Sequence, residues 1–126
     1  MNNIPSRLLR ETDALSLRPE GRSRFLAQVR DGLLPAMVKV SSRMNAWAFY
    51  ELDLANRMDL AAGRMPEREF RIWCDGAARD SEASGLAVGA WFWRRADYLV
   101  ELNSKQKKVK PTEYRQANPA MTGIIA

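Results

Sequence analysis

The order of structure-breaking residues in the first half of the chain constrains its fold more than any other feature. A basic stretch over residues 22–31 is followed at once by Gly32, and Pro35 comes three residues later. Glycine is favoured directly after the last turn of a helix, and proline cannot continue one. Apolar and polar residues then alternate over residues 38–46 around a turn at 41–43, as in a short β-hairpin. This order predicts a short helix, a stop and a small hairpin, which is the outline of a winged DNA-binding domain.

The segments before this unit are shorter. Residues 7–10 place two leucines between arginines, which predicts a brief strand or an extended lead-in. Residues 11–17 predict a brief helix with Thr12 or Asp13 as its N-cap, because both side chains can accept a backbone hydrogen bond. A proline and a glycine then interrupt this helix. The basic helix is therefore expected to begin between residues 19 and 23.

Helical spacing also runs through the second half of the chain. Residues 49–62 predict a helix that ends at Gly63, and the next helix is expected to open at Pro66, which suits a first-turn position. Residues 80–85 predict a loop or a poor helix segment, and a longer helix is expected over residues 86–103. The predicted fold class is mainly α: a small winged helix-turn-helix with a two-stranded β-hairpin wing, followed by a C-terminal helical appendage.

The basic helix has two different faces. At about 100° per residue, Phe25, Leu26 and Val29 share one face, which we expect to pack on the preceding helix. The opposite face is small and polar, so that the helix can lie deep in a groove of DNA. Four residues occupy that face and two lie on its flanks: Ser23, Arg24, Ala27 and Asp31, then Gln28 and Arg30.

The residue types that catalysis and metal binding use most are scarce. The chain has no histidine and a single cysteine, Cys74. One cysteine without histidine provides neither a thiol–imidazole dyad nor a tetrahedral zinc site. We therefore expect no enzyme, no cofactor, no metal and no small-molecule substrate. The lone cysteine indicates a reducing compartment, so a cytoplasmic location is expected.

The charge of the chain is unevenly distributed. The formal net charge is +5, with +2 in residues 1–32 and +4 in residues 104–126. Either region can neutralise phosphates, while the basic tail can equally be a solvated, flexible terminus. No apolar run reaches about 18 residues, so no membrane span is expected. Residues 1–10 have no uninterrupted apolar stretch, so no signal peptide is expected either. Together with the winged outline, this charge predicts double-stranded DNA as the partner.

Five short segments occur in a defined order in the first half. They are Arg7-Leu8-Leu9-Arg10, Arg30-Asp31-Gly32-Leu33-Leu34-Pro35, Val38-Lys39-Val40, the stretch from Arg43 to Trp47, and Glu51-Leu52-Asp53. In this order and spacing, residues 7–63 resemble the AlpA-type prophage regulators, small proteins with a MerR-like winged helix-turn-helix. Residues 18–21 look like an insertion in the turn between the two helices, and Ser41-Ser42 stands where the family often has glycine. Residues 64–126 have no counterpart in the family.

The resemblance implies a site and a choice of two roles. The residues implied at the major groove are Arg22, Ser23, Arg24, Ala27 and Gln28, with Arg30 nearer the backbone. Those implied on the wing, at phosphates or in the minor groove, are Lys39, Ser42 and Arg43. Arginine can bind guanine O6 and N7 together, and glutamine can bind adenine N6 and N7. Family members are transcriptional activators or excisionases, which implies a bacterial cytoplasmic protein of a prophage or integrative mobile element.

An aromatic cluster distinguishes the second half. Trp91, Phe92, Trp93 and Leu99 lie on a helix that is apolar around more than one face, as are helices that are buried or meet a partner. We expect these four residues in a core or at a partner interface. Because a small winged domain has little contact area with DNA, residues 66–103 are expected to mediate a homodimer or bind a partner protein.

The sequence predicts three segments and leaves three functions open. The segments are a DNA-binding domain over residues 1–63, a helical interaction segment over 64–103 and a basic, flexible tail over 104–126. The function expected is that of a sequence-specific transcriptional regulator. The alternatives are an excisionase that bends attachment-site DNA and a protein–protein adaptor on a winged-helix scaffold. DNA bending separates the first two, and failure to bind DNA at low salt favours the third.

Overall fold

The computed structural model of the protein describes residues 7–106, which form five helices and three short strands. Along the chain these are β1 (Leu8–Leu9), α1 (Glu11–Ser16), α2 (Arg22–Arg30), β2 (Val38–Ser41), β3 (Met44–Ala48), α3 (Phe49–Arg64), α4 (Glu67–Ala83) and α5 (Ala90–Gln106). The described part of the chain is mainly helical with one small antiparallel sheet, as predicted.

The sheet has three strands in the order β1-β3-β2, one more than the predicted two-stranded hairpin. Strand β1 pairs antiparallel with β3, so that Leu8 lies opposite Ala48 and Leu9 opposite Trp47. The leucine pair between arginines is therefore a strand. It makes β3 the central strand, because both edges of β3 are now paired.

The predicted hairpin is confirmed over β2 and β3. Lys39 lies opposite Asn45, and the register is irregular between Lys39 and Ser41. The Oγ of Ser41 accepts a hydrogen bond from the backbone N–H of Arg43 at 3.3 Å. A serine hydroxyl can support a tight turn in this way, so the turn forms without a glycine.

Helix α2 ends as its glycine predicts. Gly32 has φ +77°, a left-handed conformation that residues with a side chain rarely adopt. The N–H of Gly32 donates to the Val29 carbonyl at 3.1 Å, and the N–H of Leu33 donates to the Gln28 carbonyl at 2.8 Å. These two bonds form the Schellman pattern that closes many helices. The start of α2 at Arg22 lies within the predicted range.

Helix α1 has nearly its predicted bounds but a different N-cap. The N-cap is Arg10, and the predicted caps Thr12 and Asp13 lie inside the helix. The N–H of Ala14 donates to the Arg10 carbonyl at 2.9 Å. The helix starts this early because strand β1 ends at Leu9, only one residue before the cap.

Helix α3 passes through Gly63, its predicted end, and ends at Arg64. Pro66 ends it instead, because a proline disfavours helical conformation at the residue before it. Met65 is accordingly extended, with φ −115° and ψ 147°. A glycine inside a helix costs about 1 kcal/mol, which packing of the rest of the helix can offset.

Helix α4 continues to Ala83, into the segment 80–85 predicted as a loop or a poor helix, and residues 84–85 form a turn. It is closed by Gly85, which has φ +83°. The N–H of Leu86 donates to the Ser81 carbonyl at 2.8 Å, and the Oγ of Ser81 donates to the Leu86 carbonyl. These bonds hold Leu86 in the turn, so α5 begins at Ala90 rather than at the predicted Leu86.

One hydrophobic core joins the two halves of the chain. Around Leu52 of α3 it contains Phe25 and Trp47 from the first half and Phe70 and Phe92 from the second, each at most 2% exposed. Helices α4 and α5 therefore pack on the same core as α2 and the sheet. The division of roles at residue 63 stays a prediction, and most of the predicted tail, residues 107–126, lies outside the described residues.

Candidate nucleic-acid interface

The first turn of α2 presents a basic surface to solvent. Arg22, Ser23 and Arg24 are exposed, while Phe25 directly after them is buried in the core. Among the described residues, no side chain forms a hydrogen bond or an ion pair with Arg24. Its guanidinium is therefore available to a ligand such as the edge of a guanine.

Two other arginines of α2 form exposed ion pairs. Arg22 pairs with Glu11 of α1, and Arg30 pairs with Asp31 at 3.2 Å. The side chains of Arg22 and Arg30 are 65% and 75% exposed. Exposed ion pairs contribute only about 0–1 kcal/mol, so each arginine can exchange its carboxylate for a phosphate. Both keep the accessibility that their predicted roles require.

Two predicted reading residues are less accessible. Ala27 and Gln28 are partly buried. The Oε1 of Gln28 accepts a hydrogen bond at 2.8 Å from Nη1 of Arg95, whose side chain is only 4% exposed. A bidentate contact with adenine needs the whole amide to face the base. Because Arg95 already holds the amide oxygen, this geometry does not favour a bidentate contact by Gln28, and its base-reading role stays a prediction.

The hairpin carries three exposed polar residues towards its turn, namely Lys39, Ser42 and Arg43. Lys39 lies opposite Asn45, and alternate residues of a strand face the same side, so Lys39 shares its face of the sheet with Trp47. Trp47 contacts Phe25 of α2, with 5.3 Å between the ring centroids. Lys39 and α2 are thus on the same side of the sheet.

The predicted partner interface is largely buried inside the chain itself. Trp91, Phe92 and Leu99 are 7%, 0% and 8% exposed and belong to the common core. They are unable to reach a partner in the folded protein, because other core side chains already cover them. Trp93 is the exception and is 43% exposed. A homodimer or partner contact through residues 66–103 stays a prediction. Of the four residues named for it, only Trp93 is exposed enough to take part.

Sequence reasoning missed two buried arginines that share one carboxylate. The side chains of Arg18 and Arg95 are 2% and 4% exposed, and both bind Asp59 of α3. Nη1 of Arg18 donates to Oδ2 of Asp59 at 2.9 Å, and Nε of Arg95 donates to Oδ1 at 2.7 Å. Burial opposes the charge of Arg18, but the hydrogen bond with Glu20 and the charge of Asp59 outweigh it, so the pKa of Arg18 is raised.

A separate open groove of about 770 Å³ lies between α3 and α4. Leu54, Leu60 and Trp73 are among the residues that line it. All of its lining residues lie between positions 49 and 86, so the groove is distinct from the surface formed by α2 and the hairpin.

Comparisons with models of protein families, with curated proteins and with solved structures found no match for this chain. Within residues 7–106, no helix combines the length and the apolar character that a membrane span requires. The same residues contain no group of three acidic, cysteine or histidine side chains that can hold a metal ion.

Proposed function

We propose that this chain is a sequence-specific DNA-binding transcriptional regulator of a prophage or integrative mobile element. In this proposal the segment up to residue 63 acts as a winged helix-turn-helix, with α2 as the reading helix and the hairpin of β2 and β3 as the wing. The observation that carries it is the exposed first turn of α2, with Arg24 available, beside an exposed basic hairpin. The mobile-element origin and the bacterial cytoplasmic location rest on the resemblance of residues 7–63 to the AlpA-type regulators.

Helix α2 has dimensions that suit the major groove. An α-helix with its side chains is about 10–12 Å across, and the major groove of B-DNA, about 12 Å wide, admits one. The 9 residues of α2 span roughly 14 Å along the helix axis. In this arrangement Arg24 binds O6 and N7 of a guanine, Ser23 allows close approach of the backbone, and Arg22 exchanges Glu11 for a phosphate. Gln28 takes no base in this proposal, because Arg95 holds its amide oxygen.

The wing adds contacts to the sugar–phosphate backbone or the minor groove. Because Lys39 lies on the same side of the sheet as α2, both can meet one duplex. Arg43 and Ser42, in the exposed turn, extend the contact beyond the reading helix. Each cation that neutralises a phosphate releases a counterion, so the proposal requires an affinity that falls steeply with salt.

The test is selection of bound sequences from random double-stranded DNA with the purified full chain, followed by affinity measurements over a range of salt concentrations. We expect a recurrent motif and an affinity that falls linearly with salt on logarithmic axes. Several adjacent sites and a strong bend in the selected DNA assign the excisionase role instead. Absence of a motif together with absence of binding at low salt contradicts the proposal and favours a protein–protein adaptor.

A further inference from the structure

We infer that Arg95 of α5 is a positioning residue for the reading helix, so that the C-terminal helices form part of the DNA-reading unit. This inference rests on the proposed function, because it concerns how accurately α2 is held against base edges. Arg95 itself is buried and does not touch DNA.

The guanidinium of Arg95 joins three parts of the fold. Its Nη1 donates to Oε1 of Gln28 at 2.8 Å and to the carbonyl of Leu33 at 2.9 Å. Its Nε and Nη2 donate to the two carboxylate oxygens of Asp59, at 2.7 and 2.9 Å. One side chain of α5 thus connects α3 to the last turn of α2 and to the residue that follows its terminal glycine.

The bidentate pair with Asp59 fixes the direction in which this guanidinium points. A planar guanidinium that binds both oxygens of a carboxylate is held in one orientation, which a lysine ammonium is not. The two bonds with Gln28 and Leu33 then place the end of α2 relative to α3. The position of α2 is therefore set by this rigid fork in addition to its apolar contacts with the core.

The same carboxylate also holds the approach to the other end of α2. Arg18, four residues before the helix begins, donates to Oδ2 of Asp59 at 2.9 Å and to Oδ1 of Asn56 at 2.8 Å. Asp59 of α3 thus lies between an arginine that precedes α2 and an arginine that binds its last turn. The carboxylate of Asp59 thus connects the segment before α2 directly, and the last turn of α2 through Arg95, to helix α3.

Helix α2 depends on such side chains because its backbone does not pack closely on the other elements of the described residues. Near the middle of α2, the side chain of Phe25 packs against Trp47 of the hairpin, with 5.3 Å between the ring centroids. Leu26 and Val29 add partly buried apolar contacts with the core. Apolar contacts along one face hold the helix on the core, but they set its tilt less strictly than the directed hydrogen bonds of Arg95.

The residue beside Arg95 shows how closely α5 approaches the end of α2. A Cβ at Gly32 would lie 2.6 Å from Nη1 of Arg94. Two consecutive residues of α5 therefore reach the end of α2, Arg94 at the glycine that follows it and Arg95 at Gln28.

This placement predicts a specific defect when Arg95 is lost. Contacts with base edges need side chains held within about 0.5 Å of their productive position, whereas flexible lysines and arginines can follow a phosphate. Loosening α2 should therefore lower affinity for the selected DNA sequence and leave affinity for unrelated DNA nearly unchanged.

The experiment compares full-length Arg95→Met and Arg95→Lys with the wild type, on the selected duplex and on a scrambled duplex of the same length. Asn103→Ala is the matched control, because Asn103 donates to the Ala62 carbonyl at 2.8 Å and ties α5 to α3 far from α2. We expect Arg95→Met to lower the ratio of the two affinities by about tenfold or more. Arg95→Lys should fall between Arg95→Met and the wild type, and Asn103→Ala should keep the wild-type ratio.

A double-mutant cycle separates positioning from general stability. If Arg95 acts by orienting Arg24, Arg95→Met should reduce the ratio much less in an Arg24→Ala background than in the wild type. Additive effects of the two substitutions, or an unchanged ratio in a folded Arg95→Met protein, overturn the inference while the DNA-binding function stands. A wild type that binds no DNA overturns both. If Arg95→Met does not fold, Arg95→Lys takes its place. A ratio of the two affinities that is lower in Arg95→Lys than in Asn103→Ala supports the inference, and equal ratios overturn it.

Discussion

The indole of Trp47 meets the ring of Phe25 edge to face, with 5.3 Å between centroids and 62° between ring planes. Edge-to-face pairs bring the positive edge of one ring to the negative face of the other. Both side chains are at most 1% exposed. This aromatic pair is therefore the apolar attachment between the hairpin and α2, the two elements that the proposed function requires to act together.

Phe25→Ala should strongly destabilise the protein. Removing a buried phenylalanine forfeits its transfer free energy and leaves a cavity, which together cost about 3–5 kcal/mol. The measurement is the free energy of unfolding in urea. Leu26→Ala, one residue along and only partly buried, is the control and should cost clearly less. Equal losses from the two substitutions would contradict the central position of Phe25.

Asp59→Asn should also destabilise the fold, through an electrostatic route. The side chains of Arg18 and Arg95 are almost fully buried. Removing the carboxylate charge of Asp59 leaves Arg95 without an anionic partner and Arg18 with Glu20 alone, at a cost of about 3 kcal/mol. Asp53→Asn is the control, because its ion pair with Arg57 is exposed and should be worth less than about 0.5 kcal/mol. Urea denaturation of both variants measures the difference, and a loss for Asp59→Asn as small as that of the control rules out a structural role for the shared carboxylate.

Arg24→Ala should relax base recognition without unfolding the protein. The side chain is exposed, so its loss should leave the thermal midpoint nearly unchanged while costing about 1–3 kcal/mol of discrimination between the selected and a mismatched duplex. Arg68→Ala removes an exposed arginine from α4 and serves as the charge-matched control. Wild-type selectivity in Arg24→Ala would remove this residue from the reading surface.

Substitutions on the wing should change the salt dependence rather than the sequence preference. If Lys39 and Arg43 contact phosphates, each alanine variant should flatten the plot of log affinity against log salt by about one unit of slope. The preferred motif should be the same as that of the wild type. A slope unchanged in both variants would mean that the hairpin does not touch the DNA backbone.

Cys74 should react only when the protein unfolds, and it should make stability depend on alkaline pH. It is 2% exposed, and burial raises the pKa of its thiol to about 11. Because the folded state holds this proton more tightly than the unfolded chain, the contribution is fully present below the ordinary thiol pKa and is lost as pH rises towards 11. Alkylation rates in native buffer and in concentrated denaturant test the first statement. Unfolding free energies of the wild type and Cys74→Ala across alkaline pH test the second, and parallel pH profiles would contradict it.

Local signals in the sequence were sufficient for most of the fold. The hairpin and the end of α2 were predicted because alternation and a glycine followed by a proline act within a few residues. The end of α3 differs from the predicted Gly63 because Pro66, three residues further on, stops the helix. The start of α5 differs from the predicted Leu86 because hydrogen bonds with Ser81 hold Leu86 in the preceding turn. The third strand depends on pairing between residues about 40 positions apart, which local patterns do not specify.

Helical periodicity in the sequence was enough to predict the exposed residues of the candidate site. It did not predict the buried pair of Arg95 and Asp59 that holds helix α2. Ser23 and Arg24 fall away from the apolar face of α2 on a helical projection. The buried state of Arg95 had one sequence signal, since it lies four residues from both Trp91 and Leu99 and so shares their apolar face. An arginine there is buried only if a carboxylate from elsewhere meets it, and the sequence alone does not place Asp59.

The bond between Gln28 and Arg95 joins residues 67 positions apart, and this separation has a consequence for synthesis. At about 5–20 residues per second, a ribosome makes α2 several seconds before the guanidinium that orients it. A nascent chain, or one that stops before Ala90, carries the arginines of α2 without that support. If the proposed function holds, accurate recognition of a DNA target is acquired only near the end of translation, and truncated products do not compete with the full chain for that target.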